Sequence, residues 1–135
     1  MILLDSSLIV AYLNEADVNH VKALKVIEDV DKDRYGTPVI TDYVFDEVIT
    51  VMLVKTKDVQ RVTEIGEKLL SANMLLKIDG ETFNQAWNIF KNQRGPHFSF
   101  TDCTSLAACR ANGVSNIATF DEDFGEVEEL RKIGL

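Results

Sequence analysis

The chain opens Met1-Ile2-Leu3-Leu4-Asp5-Ser6-Ser7, and the reading of these seven residues decides the fold. An unbroken apolar run suits a strand buried on both faces, as in a parallel sheet. It stops at an acid and two serines, a polar sheet edge. Residues 8–13 then read as a brief helix, so the chain begins strand, polar edge, helix.

Working outward, the same order recurs. Asp17 is expected to cap a second helix bearing Val21, Leu24 and Ile27 on one stripe. Residues 29–36 are charged and turn-like. Residues 37–41 form a second strand, with Pro38 near its start, where a missing N–H is tolerated. Thr41 or Asp42 caps a strongly apolar helix over 43–55, and Asp58 caps another with Val59, Val62, Ile65 and Leu69 at helical spacing. Residues 74–78 give a third strand. Asp79 or Thr82 starts a helix carrying Phe83, Ala86, Trp87 and Phe90, and 92–98, with Gly95-Pro96, is a loop. Thr101 reads as the N-cap of a helix that Gly113 closes. Residues 117–120 make a fourth strand, and the last eleven residues add a short helix and a small edge strand. Strands separated by helices predict a three-layer α/β/α sandwich with a four- to five-stranded, mainly parallel sheet.

The chain's 135 residues suit one domain over 1–135, burying roughly two thirds of the surface an unfolded chain exposes. No apolar run approaches the ~20 residues of a membrane span. The opening segment lacks a basic region and meets an acid too early for a signal peptide, so a cytoplasmic setting is expected. Cys103 and Cys109 lie six apart on one expected helix. They point to different faces, and read as free, near-core thiols rather than nucleophiles. The net charge of −8 argues against broad electrostatic capture of nucleic acid. It leaves room for an enzyme whose carboxylates converge on a cation.

Ligands of open parallel sheets bind beyond the carboxyl ends of the strands. Asp5 and Asp121 fall there, and Asp102 falls in the first turn of the Thr101 helix, where the helix dipole favours its ionised form. Each alone is ordinary turn or helix chemistry. Three on one sheet edge would repel, and partly protonate, unless a cation held them. Oxygen-only ligation points to Mg2+ or Mn2+, and the lack of Cys/His clusters argues against zinc. Asp46-Glu47, in an otherwise apolar helix, offers a fourth acid, and helical spacing does not choose between the two.

Taken together these residues resemble the PIN-domain family, and within it the VapC-type toxin ribonucleases. The likeness rests on residues 4–13 (Leu4-Asp5-Ser6-Ser7-Leu8 onward), on Thr41-Asp42-Tyr43-Val44-Phe45-Asp46-Glu47-Val48, on Ser99-Phe100-Thr101-Asp102-Cys103 and on Ala118-Thr119-Phe120-Asp121-Glu122-Asp123-Phe124. The resemblance implies a Mg2+- or Mn2+-dependent endoribonuclease. It selects Glu47 over Asp46 and groups it with Asp5, Asp102 and Asp121, with Ser7 and Thr119 as supporting polar residues. Asp123 stands as an outer or alternate ligand to Asp121. The resemblance also implies an RNA substrate, a cognate antitoxin with a basic segment, and a homodimer.

Two other readings compete. One is a non-catalytic PIN-like module that binds RNA or protein. The other is a receiver or phosphohydrolase-like protein, which the absence of a second Asp beside Asp5 opposes. His20 reads as an exposed helix residue, and His97 as a loop residue that could approach substrate. Lys91 and Arg94 read as a basic face that could steer phosphate.

Overall fold

The computed structural model describes residues 1–135. Its order is β1 (Ile2–Leu4), α1 (Ser6–Leu13), α2 (His20–Asp31), β2 (Pro38–Thr41), α3 (Asp42–Thr56) and α4 (Val59–Ala72). There follow β3 (Met74–Leu76), α5 (Gly80–Asn92), α6 (Phe100–Asn112), β4 (Asn116–Ala118), a 3-10 turn (Glu122–Glu126) and β5 (Arg131–Ile133). The strands pair in the order β3-β2-β1-β4-β5, and every pair is parallel. The expected sandwich is therefore present, with a sheet parallel throughout rather than mainly so.

Alternation along β1 sorts the core into two layers. Ile2 and Leu4 face α1 to α4, packing with Leu8, Val44, Val48 and Val62. Leu3 faces the other way, with Leu106 and Cys109 of α6 and with Phe124. β1 thus lies in the middle of the sheet and is covered on both sides, which is why its sequence is apolar without interruption. The chain leaves β1 toward β2 on one side and returns to β4 on the other. The switch point falls between β1 and β4, where a crevice opens at the strand ends.

Several starts and stops follow their local chemistry. The Thr41 hydroxyl accepts from the Val44 N–H, and the Asp58 and Asp79 carboxylates accept from the Arg61 and Thr82 N–H groups. Gly113 closes α6 at φ 65°, in the left-handed region glycine favours. Two expected caps are corrected. α2 begins at His20 because Asp17 spends its carboxylate on the Asn19 N–H in a tight turn. α6 is capped by Ser99, not Thr101: the Ser99 hydroxyl accepts from the Asp102 N–H, and the Asp102 carboxylate accepts from the Ser99 N–H. β3 is also shorter than expected, because the Ile78 N–H turns to the Asp42 carboxylate, and β4 covers Asn116–Ala118 rather than 117–120, although the Thr119 N–H still bonds the Ile133 carbonyl while its hydroxyl turns to Asp5.

Leu8 is fully buried in the α1-to-α4 layer. Leu8→Ala is expected to lower stability by about 2–5 kcal/mol; urea unfolding followed by circular dichroism measures it, and a near-zero change contradicts the packing described.

Candidate functional site

The crevice at the end of β1 is built from the backbone outward. The Asp5 N–H bonds the Ala118 carbonyl, which continues the β1–β4 ladder by one step and fixes the Asp5 side chain at the strand end. That side chain is only 2% exposed. Its Oδ2 accepts from the Ser7 hydroxyl at 2.6 Å and from the Thr119 hydroxyl at 2.8 Å. Ser7 comes from the first turn of α1, and Thr119 from just past β4. The two hydroxyl oxygens are themselves 3.2 Å apart. Ser7 also accepts from the Phe120 N–H and Thr119 from the Asp121 N–H, so this network sets the path of the chain into Asp121.

Four further carboxylates line the same cavity of about 500 Å3: Asp17 at its rim, and Glu47, Asp102 and Asp121. Glu47 projects from α3, and its Oε2 accepts from the Ser6 hydroxyl at 2.7 Å. Asp46, its neighbour, is exposed and lies outside the cavity. Asp102 comes from the third position of α6, with Oδ2 held by the Ser99 N–H at 2.9 Å. The Asp121 Oδ1 accepts from the Asp123 N–H and opens the 3-10 turn. Asp123 points elsewhere, 3.8 Å from Nδ1 of His97. Asp17 and Asn19 complete the rim, together with Ser6 and Ser99.

Burial dominates the electrostatics. The Asp5 carboxyl is pushed above its ordinary range by desolvation, against the pull of the Ser7 and Thr119 hydroxyls, with the Asp121 charge adding to the rise. Asp102 rises to about 6, chiefly through desolvation, with Asp5 and Asp121 pushing the same way. The expected gain from the helix dipole is outweighed, because a dipole contributes about 0.3–1 kcal/mol and the cost of burying a charge is larger. Burial also pushes the Cys103 thiol up to about 11 and that of Cys109 up to about 12, which keeps both thiols protonated and inert.

The donor set fits a hard divalent cation. Every acid in the cavity offers oxygen, and Oδ1 of Asp5 is buried without a hydrogen-bond partner. No three acids stand close enough to form a ready-made coordination sphere. The contribution of Ser6 to Glu47 escaped sequence reasoning, since a contact between residues 41 apart has no local signature. That of Ser99 escaped it too, although its spacing to Asp102 is that of a capping box. His20 is not an exposed helix residue: its ring nitrogen lies 2.8 Å from the Ala11 carbonyl oxygen.

A parallel α/β sheet with acids gathered at its switch point defines the class of protein, and comparison with known families makes it specific. The PIN domain family profile matches residues 2–130, and the chain belongs to that family. A comparison with curated proteins finds no match. Among solved structures the fold is similar to Mycobacterium tuberculosis VapC20, a Sarcin-Ricin loop cleaving toxin. The TM-score is 0.80 and the identity 22%, with 95% of each chain covered. It is also similar to VapBC2 from Rickettsia felis, bound to a promoter DNA fragment, at TM-score 0.68 and 15% identity over 98% of this chain and 97% of that one. A toxin–antitoxin complex from Klebsiella pneumoniae gives 0.66 and 16% over 97% and 96%.

The Asp102 shift has a sign that can be checked. Its folded pKa of about 6 lies above the ordinary 3.8. The stability it contributes is therefore present below about pH 4 and is lost as pH rises through about 6. In chelated protein, Asp102→Asn is expected to stabilise the fold at pH 7 relative to pH 4, by roughly 1–3 kcal/mol. Unfolding midpoints at the two pH values measure it, and an effect independent of pH contradicts the shift.

Proposed function

We propose that this protein is a Mg2+- or Mn2+-dependent endoribonuclease, the toxin of a toxin–antitoxin pair, formed by one PIN domain over residues 1–135. One observation carries the reading: a carboxylate buried at the end of the central strand, with one oxygen held by two hydroxyls and the other without a partner. Asp5, Asp102 and Asp121 would hold the ion, with Glu47 binding through water or completing a second position. When bound, such an ion supplies a water of lowered pKa and neutralises charge developing on phosphate oxygens. Ser7 and Thr119 hold Asp5 in one orientation, so the remaining oxygen keeps its direction without paying rotamer entropy at each turnover. Ser6 restrains Glu47, and Ser99 restrains Asp102. No side chain need act as nucleophile, in keeping with the protonated cysteines.

VapC20, a cleaving toxin, and the toxin–antitoxin complexes among the fold neighbours support the same reading. The acidic pocket suits inhibition by a small antitoxin that inserts a basic segment. We further propose a homodimer working in the cytoplasm; no helix here is long and apolar enough to cross a membrane.

Asp5→Asn and Asp102→Asn are each expected to reduce Mg2+-dependent cleavage of RNA by at least about 100-fold while circular dichroism stays unchanged. Chelation should do the same to the natural sequence. Cleavage that survives both substitutions overturns the mechanism. Loss of metal binding by the unsubstituted protein would favour a non-catalytic binding module.

A further inference from the structure

A carboxylate-lined cavity repels the phosphates that flank the one it cleaves. A nuclease of net charge −8 therefore needs cations where the RNA strand leaves that cavity. α3 leads from one to the other. Glu47 and Val51 lie on the cavity wall, one helical turn apart, and Lys55 continues the same stripe by a further turn. Eight residues of helix rise about 12 Å, so Lys55 stands that far beyond Glu47 along the axis. Lys57 falls in the turn between α3 and α4, and Arg61 is the third residue of α4. Ile65 and Lys68, one and two turns on from Arg61, line a groove with Ile9 and Leu13 of α1. α1 in turn carries Val10 into the cavity wall. Lys55 and Arg61 thus extend the α1–α3 side of the crevice.

These cations are unspent. From Val48 to Thr63 the ionisable residues are Lys55, Lys57, Asp58 and Arg61. The one acid among them gives its carboxylate to the Arg61 N–H at the α4 cap. Lys55, Lys57 and Arg61 are exposed and take part in none of the ion pairs of the fold. Lys57 is also out of place for its backbone. Its φ is 53°, in the left-handed region where helix ends favour glycine or asparagine. A lysine held there against the local preference points to a use for its charge. Lys91 and Arg94 are likewise outside the ion pairs, but they lie on α5 and in the loop after it, and no residue from 80 to 98 reaches the cavity wall.

We propose that the α3–α4 turn is the phosphate-binding arm of the site, with Lys55, Lys57 and Arg61 holding the backbone of the RNA strand as it leaves the carboxylates. The inference rests on the nuclease reading and adds where the substrate is gripped. Phosphate contacts position a strand without reading its sequence, so the arm supplies affinity and register while the carboxylates act on the scissile bond. An acidic protein segment is the competing occupant. The unbroken stripe from Glu47 through Val51 to Lys55 favours RNA, because one strand then meets the carboxylates and the cations together.

The full chain, with divalent ions chelated, is titrated with a labelled 2′-O-methyl oligoribonucleotide lacking secondary structure, and anisotropy gives its affinity across a salt series. Lys55→Gln and Arg61→Gln should each weaken binding about fivefold near 0.1 M salt and flatten the dependence of log K on log salt by about 0.7. Lys55→Arg should keep both values, and Lys91→Gln should leave them close to those of the unsubstituted protein. Lys57→Gly should raise the thermal unfolding midpoint while losing RNA affinity to the same extent as Lys55→Gln. In Mn2+-dependent cleavage, Lys55→Gln should raise KM and leave kcat near its original value. Four outcomes overturn the arm. They are no RNA binding by the chelated protein, a loss in Lys91→Gln as large as that in Lys55→Gln, RNA affinity retained in Lys57→Gly, or RNA affinity unchanged in Lys55→Gln. If that last variant instead loses binding to polyglutamate, the turn belongs to an acidic protein. Cleavage by the unsubstituted protein separates the two ideas. If cleavage persists while the arm fails, the nuclease reading stands; if binding and cleavage are both absent, both fall.

Discussion

A carboxylate buried at the end of the central strand is the constraint on which this structure turns. Asp5 cannot move to solvent, because β1 is paired on both sides and its last ladder bond runs through the Asp5 N–H itself. A buried charge is costly unless it is satisfied, and hydroxyls from Ser7 and Thr119 satisfy only one of its oxygens. The other keeps a standing demand for positive charge or a proton. Nothing in the hydrophobic layers relieves that demand. It is a feature of strand placement, set when β4 docks beside β1.

The neighbouring elements bring the demand to a focus rather than easing it. α6 enters the crevice by its first turn and carries Asp102, whose carboxylate is divided between capping its own helix and facing the cavity. α3 brings Glu47 on a side chain tied back to Ser6. Each acid is thus held by a hydroxyl or an amide, distant in sequence for Asp5 and Glu47 and local for Asp102 and Asp121, and each is held through one oxygen. A site so arranged is pre-oriented but electrostatically unfinished, which is the state a cation completes.

Much of this could be read from the sequence, for identifiable reasons. The caps at Thr41, Asp58 and Asp79, the closure at Gly113 and the apolar run of β1 are local signals, and local chemistry decides them. Asp5 and Asp121 could be placed because each follows an apolar strand directly. The N-cap of α6 could not be settled in that way: Ser99 and Thr101 both carry hydroxyls ahead of the helix, and only the reciprocal bond with Asp102 selects Ser99. Asp46 and Glu47 differ by about 100° around a helix, a difference that becomes informative only once the packing of α3 is known. The raised pKa of Asp102 is not readable from sequence, because the helix dipole is local whereas burial belongs to the assembled sheet edge.

The central claim is that the buried, half-satisfied acids form a cation site, and the most direct measurement is a calorimetric titration of the RNA-free protein with Mn2+ near pH 6, repeated in buffers of different ionisation enthalpy. The account predicts saturable binding accompanied by proton release, because Asp5 and Asp102 hold protons above the usual carboxylate range and must lose them to bind. It also predicts that the release falls in Asp102→Asn. Absence of binding, or binding with no proton release and no change in that variant, contradicts it.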